Sequence, residues 1–211
     1  MVGGLHKCQI CGAYTDEPTH CGKPAVLLLD GSTRLRVSKT LSLALRHSPA
    51  VLGLVLDSRG WGEVEAVLRG LDRAGLKISR EALEAVVALD DKGRFEMSNG
   101  KIRARYGHSI DVEVEYEVDE DSASLYHGTS KDNLPFIMAV GILPMKRKFV
   151  HLATDVDTAC LNAARRPSPI VIEVDAECLR RSGVVIYIGS RKIRLAKYVP
   201  QSCIKRVFQC L

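Results

Sequence analysis

What the sequence lacks narrows its function first. No apolar run approaches the ~20 residues that a membrane-spanning helix needs. The opening stretch, MVGGLHKCQICG, lacks the apolar core of a signal peptide. A cytoplasmic protein with no membrane partner is therefore expected. No Gly-x-Gly-x-x-Gly follows a strand-like run and no Walker lysine loop occurs, so neither common glycine loop for nucleotides is supported. No internal repeat is visible. Glutamine occurs only three times while arginine is abundant, a balance that leans toward a heat-adapted source.

What is present is a chain of 211 residues, long enough for a sizeable core and one or two domains. Hydrophobic residues make up 46% and charged residues 26%, the profile of a folded protein. The net charge of +5 is unevenly spread. Residues 34–110 hold fourteen Lys/Arg against nine Asp/Glu, and residues 122–211 hold fourteen against six. Between them DVEVEYEVDED carries seven acids and no base. Two basic blocks suit a polyanionic partner. The plainer alternative is a surface that only confers solubility. No obligate protein partner is evident.

The seven cysteines are an odd number, and three crowd the N-terminal end. The other four, Cys160, Cys178, Cys203 and Cys210, sit in apolar contexts and are expected to be buried small hydrophobes rather than a secreted disulfide framework. Residues 1–33 form a short segment rich in turns. CQICG has the Cys-x-x-Cys-Gly form of a zinc knuckle, and HCGKP resembles its partner. Zinc prefers four thiolate or imidazole ligands in a tetrahedron. Cys8, Cys11 and Cys21 supply three; His20 is the expected fourth, with His6 as competitor. So small a segment has little core, so metal there would be folding energy rather than catalysis. The alternatives are a free-thiol turn or a redox pair, and no thioredoxin-like strand precedes the motif.

Residues 34–118 read as a small helical lobe with a hairpin. In SKTLSLALRHSP, Ser38 can cap a helix. Leu41, Ala44 and Leu45 share one stripe, while Lys39, Ser42 and Arg46 share another. Pro49 ends the helix, which leaves Arg46 and His47 in its last turn. Such a pair is either a surface cation pair favoured by the helix dipole or an anion site with its own proton donor. Further helices are expected over Val64 to Arg73 and after Ser79. Asn99-Gly100 predicts a two-residue hairpin. Its register places Phe95, Met97, Ile102 and Ala104 on one face, and Arg94, Glu96, Arg103 and Arg105 on the other. One acid among three arginines makes that face an expected phosphate platform. DVEVEYEV alternates like an edge strand that becomes a linker. Residues 119–211 read as α+β. Strands are expected in SLYHGTS, KFVHLATD, PIVIEV, VVIYIG and KIRLAKYVP, with helices in DNLPFIMAVGI and VDTACLNAARR.

Four patches, in order, resemble the NAD-dependent RNA 2′-phosphotransferases, which remove a 2′-phosphate from spliced tRNA. SKTLSLALRH is similar to the family's Ser-Lys-x-Leu-Ser-x-x-Leu-Arg-His. KGRFEM followed by KIRARYGHS is similar to its Arg-Phe and Ile-Arg-Ala-x-x-Gly-His-Ser strands. LYHGTS matches its His-Gly-Thr, and GILPMKRKFVHLATD its Gly-Ile-x-x-Met-x-Arg-x-x-Val-His-Leu. Arg105-Tyr106 stands where the family often has Asn-Gln, Ala153 where it usually has Ser, and Arg194-Leu195-Ala196 where a Trp-Leu-Thr is common.

The resemblance implies an α+β protein: a winged-helix RNA lobe, then an ADP-ribosyltransferase-like lobe that binds NAD without a glycine fingerprint. It carries catalytic roles to Arg46, His47, Arg94 and Arg147, and NAD contacts to His127, Gly128, Thr129, His151 and Val199. Lys39, Arg103, Arg105 and His108 are expected RNA contacts, each weighed against ordinary surface charge or, for His108, a buried imidazole. The implied partner is RNA bearing an internal 2′-phosphate. Arginine forks would cradle it, and His47 would donate a proton to the departing RNA oxygen. Two rivals remain at this stage: an ADP-ribosyltransferase acting on nucleic-acid ends or protein, and a zinc/winged-helix DNA regulator.

Overall fold

The structure is a computed structural model, and it describes residues 3–210. The chain divides into two compact units, Met1–Val114 and Glu115–Leu211, each mixed in α and β. Among the described residues no helix is long and apolar enough to cross a membrane.

The first unit opens with short strands β1 (Leu5–Lys7), β2 (Tyr14–Thr15), β3 (Thr19–His20), β4 (Lys23–Pro24) and β5 (Val26–Leu29). β1 is the centre of a three-stranded antiparallel sheet ordered β2-β1-β5, and β3 pairs with β4. Helix α1 follows (Gly31–Arg46). Its cap is Asp30, whose carboxylate accepts the N–H groups of Ser32 and Thr33 at 2.9 Å each. Ser38, expected as the cap, instead lies mid-helix. The acid eight residues upstream satisfies the first-turn donors, so the helix starts earlier. At the other end Ser48 leaves helical geometry (φ −148°, ψ 80°) ahead of Pro49, as the proline requires.

Next come β6 (Gly62–Glu63), α2 (Val64–Arg73), α3 (Arg80–Ala88), β7 (Phe95–Ser98) and β8 (Lys101–Ala104). Ser79 caps α3 through the Ala82 N–H. The β7–β8 hairpin has the expected register, Met97 opposite Ile102 and Phe95 opposite Ala104. Its turn has Asn99 and Gly100 at φ 49° and 74°, the left-handed pair that a two-residue hairpin loop demands. Leu41 and Leu45 of α1, Val67 and Leu71 of α2, Leu83 of α3 and Ile102 of β8 form one core, into which Leu5 and Leu29 of the N-terminal strands also pack.

The second unit is built on β9 (Ser124–Ser130), α4 (Leu134–Val140), β10 (Val150–Ala153), α5 (Val156–Ala163), β11 (Pro169–Asp175), α6 (Ala176–Arg181), β12 (Ile186–Ser190), β13 (Ile193–Ala196) and β14 (Ile204–Gln209). Its six strands run antiparallel in the order β12-β13-β10-β9-β11-β14. Leu125, Leu152, Ile172 and Val174 form a core with Ile137 of α4 and Leu179 of α6. Gly128, on the alternate face of β9, receives α5 so closely that a Cβ there would stand 2.2 Å from the Ala159 carbonyl oxygen.

Two further expectations are corrected. The acidic run is not a strand: only Val118 makes a bridge, to Tyr187, flanked by backbone bonds from Asp119 to Ile186 and from Ile188 to Glu117. Its alternation is real, but pairing is confined to the residues that reach the β12 edge. The four scattered cysteines are not free thiols. Cys160 pairs with Cys210 and Cys178 with Cys203 as disulfides, at Cα separations of 5.5 and 5.4 Å. The partners are 50 and 25 residues apart in sequence, and only the return of β14 to the sheet brings them together.

Candidate functional site

In the first unit, Ser38, Ser42 and Arg46 are spaced by four and so line one stripe of α1. Arg94, just ahead of β7, lies against that stripe. Its Nη2 donates to Ser38 Oγ at 2.8 Å and its Nη1 to Ser42 Oγ at 3.4 Å. Asp90 holds the opposite edge, accepting from Arg94 Nε at 2.9 Å, from Nη2 at 2.6 Å, and from the Arg94 backbone N–H. The Asp90 side chain is 1% exposed. The expected three-arginine platform is therefore divided. Arg94 is drawn to α1, while Arg103 pairs with Glu96 and Arg105 reaches the same carboxylate at 3.5 Å. Arg103 also stacks over Trp61, 4.5 Å from the ring centroid.

Arg46 is only 7% exposed, its guanidinium 4.7 Å above the centre of the Tyr106 ring. Beside it His47 Nδ1 shares a 2.9 Å hydrogen bond with Ser109 Oγ, and the Ser109 N–H donates to the Arg46 carbonyl. The segment after β8 thus clamps the end of α1. Lys39 is exposed on α1. His108, weighed between an RNA contact and a buried imidazole, is 4% exposed and lies beside Gly60.

In the second unit, the HGT and VHL motifs occupy the neighbouring strands β9 and β10. His127 Nδ1 donates to the His151 carbonyl at 3.1 Å. Burial pushes the His127 imidazole down to about 4, helped by the Arg166 and Arg147 cations and opposed by that carbonyl. It is neutral at pH 7, with the proton on Nδ1 and Nε2 left as an acceptor. Arg147 Nη1 lies 2.5 Å from His151 Nδ1, which orients the second histidine. Arg166, not singled out in the sequence, donates to the Gly128 carbonyl at 3.0 Å. Thr129 is buried and accepts from Asn133 Nδ2 at 3.1 Å. Val199 is fully buried and bridges the backbone of Ile142.

The N-terminal segment gathers Cys8, Cys11, His20 and Cys21, whose ligand atoms all lie within 4.8 Å of one another. His20 Nδ1 is 3.5 Å from Cys11 Sγ and 3.3 Å from Cys21 Sγ. His20 rather than His6 completes the set. The backbone N–H of Cys11, with smaller help from His20 and the Ile10 N–H, lowers the Cys8 thiol to about 6 against the effect of burial. Three sulfurs and one imidazole are a donor set suited to zinc.

The model of the RNA 2′-phosphotransferase, Tpt1 / KptA family matches residues 32–198. The chain belongs to this family. A Pyrobaculum aerophilum protein named "Probable RNA 2'-phosphotransferase" is 62% identical over 209 residues, covering 99% of this chain and 98% of that one. A Hyperthermus butylicus protein of the same name is 40% identical, covering 95% and 91%. One from Pyrococcus furiosus is 39% identical, covering 85% of this chain but 99% of its own length. The phosphotransferase family match begins after Cys21, so the metal-ligand cluster lies outside it.

Sequence reasoning missed Asp90 and Ser109. Asp90 belongs to no recognisable motif, and Ser109 was visible only as the last residue of the Gly-His-Ser patch, with no role attached; each matters through the side chain it holds. The signal available for Asp90 was its position four residues before Arg94.

Proposed function

We propose that this chain removes the 2′-phosphate of RNA by transferring it to NAD. In the first step a phosphate oxygen attacks the ribose carbon that bears nicotinamide. The carbon–nitrogen bond breaks and nicotinamide leaves, giving RNA joined to ADP-ribose through its 2′-phosphate. In the second step the ribose 2″-hydroxyl attacks phosphorus. The bond to the RNA 2′-oxygen breaks, leaving 2′-hydroxyl RNA and ADP-ribose 1″,2″-cyclic phosphate.

Each unit supplies its own part. Arg46 and Arg94 hold phosphate oxygens, with Arg147 as a third cation, because guanidinium forks match that geometry and stabilise the charge that builds in step two. His47 protonates the leaving RNA oxygen; a bound phosphate favours the imidazolium it needs. His127 and His151 orient NAD. The neutral His127 offers Nε2 to a ribose hydroxyl, and Gly128, Thr129 and Val199 shape the surroundings. Lys39 and Arg105 contact the RNA backbone. Arg103, already engaged by Glu96 and Trp61, stiffens that surface.

In this reading the first unit carries a winged-helix RNA lobe, residues 34–118, and the second an ADP-ribosyltransferase-like lobe, residues 119–211. Residues 1–33 hold one structural zinc through Cys8, Cys11, His20 and Cys21. The observation that carries the proposal is the family match over residues 32–198, within which Arg46, His47, Arg94, His127, Arg147 and His151 all fall. The test is nicotinamide release. It should require an oligonucleotide with an internal 2′-phosphate and proceed one for one with phosphate loss. Release onto unphosphorylated RNA, or a stable ADP-ribosylated end product, would refute the proposal.

A further inference from the structure

We propose that Asp90 is a positioning residue for the phosphate site, deciding which surface Arg94 serves; this rests on the reaction proposed above. The pleat of the hairpin assigns Arg94 to the same face as Arg103 and Arg105, since the Arg105 N–H bonds to the Arg94 carbonyl just past the register pair Phe95–Ala104. On that face Arg94 would be a third surface cation near Glu96. Instead its guanidinium lies against α1, on the stripe that ends at Arg46.

Asp90 is the group that accounts for the difference. Its carboxylate takes the Arg94 backbone N–H and two side-chain donors at once. The Gly93 N–H closes the same turn onto the Asp90 carbonyl at 2.8 Å. The acid therefore shapes the turn and captures the side chain that leaves it. Ser38 takes a further Nη2 donor. A guanidinium has five N–H donors. Asp90 and Ser38 occupy the Nε and Nη2 side, so Nη1, with only a 3.4 Å contact to Ser42, is the corner left to meet an anion. The Phe95 ring, 5.2 Å from the guanidinium carbon, borders the group. An arginine side chain otherwise samples many rotamers. Fixing it beforehand is what an oxyanion-binding donor requires.

The test compares Asp90→Asn, Asp90→Glu, Arg94→Ala and the double variant Asp90→Asn/Arg94→Ala in the full chain. The first readout needs no turnover: the preference for a 2′-phosphorylated oligonucleotide over its unmodified twin, measured by fluorescence anisotropy. Asp90→Asn should lower that preference by about tenfold, the scale of one charge-assisted bond. The melting temperature should stay within a few degrees. Asp90→Glu keeps the charge but shifts the guanidinium by a methylene, and should also lose preference. It is the deciding variant if Asp90→Asn fails to fold. In turnover, Asp90→Asn should reduce kcat by about 10–100-fold, as for a displaced electrostatic donor. KM for NAD should stay near wild type, and the ADP-ribosylated RNA intermediate should accumulate. The double variant should lose no more than Arg94→Ala alone. Wild-type preference in both Asp90 variants, or additive losses in the double variant, would overturn the assignment. Absence of turnover in the wild type would instead overturn the reaction, while the binding preference still decides the role of Asp90.

Discussion

At the scale of single residues, the proposed reaction sets opposite requirements on two histidines. His47 must be cationic to donate a proton, and it sits at the C-terminal end of α1, where the helix dipole favours positive charge. Replacing it with alanine should slow the second step by about 10²–10⁴-fold, the usual contribution of a general acid. A quenched time course should then show the ADP-ribosylated RNA accumulating; unchanged turnover would remove His47 from the mechanism. His127 must stay neutral. Burial holds it at about 4, below its ordinary 6.5. Between those values the unfolded chain binds a proton here and the folded chain does not. Its contribution to stability is therefore complete above pH 6.5 and declines as pH falls toward 4. Melting temperatures measured from pH 7 to pH 4 should fall across that window, and His127→Asn should flatten the fall. The placement of Arg46 and His47 at the end of α1, and of His127 and His151 on strands, was legible because their motifs are contiguous. The partners of Asp90 and Ser109 were not, because folding alone brings Arg94 to the one and His47 to the other.

At the scale of elements, most of the secondary structure followed from pattern. Helix α2 spans the residues that its apolar stripe marks, and the Asn-Gly turn fixed the hairpin register. The misses have physical causes. Asp30 outcompetes Ser38 as a cap because it is placed to accept two N–H groups. The alternating acidic run makes only a single bridge because it meets a neighbouring strand over only a few residues. Strand β14 and its two disulfides were hidden because no local signal tells where the last strand docks. That strand lies at the sheet edge, with Cys203 immediately before it and Cys210 immediately after. Reducing both bridges should cost on the order of 3 kcal/mol each. Thermal unfolding with and without reductant should show it as a lower midpoint; an unchanged midpoint would mean that the bridges do not matter to the fold. Gly128 is a second such point. An alanine there meets the Ala159 carbonyl oxygen, so α5 must move away from β9. Gly128→Ala should lower stability and raise KM for NAD, both read in one purified variant.

For the molecule as a whole, the odd cysteine count resolves into two disulfides and three cysteines beside His20. Purified protein should contain one zinc per chain. Chelation should lower the melting temperature, since the strands flanking the cluster contribute Leu5 and Leu29 to the core of the first unit. The family match over residues 32–198 begins after the cluster, so metal loss should reduce stability more than it reduces turnover at low temperature. Two basic blocks separated by an acidic stretch fit an RNA substrate, but charge alone does not name the reaction. The measurement that does is the fate of a labelled 2′-phosphate. RNA carrying ³²P only in an internal 2′-phosphate, incubated with the protein and NAD, should yield unlabelled RNA and label in ADP-ribose cyclic phosphate. Label that stays on the RNA, or that leaves as inorganic phosphate without consuming NAD, would contradict the account.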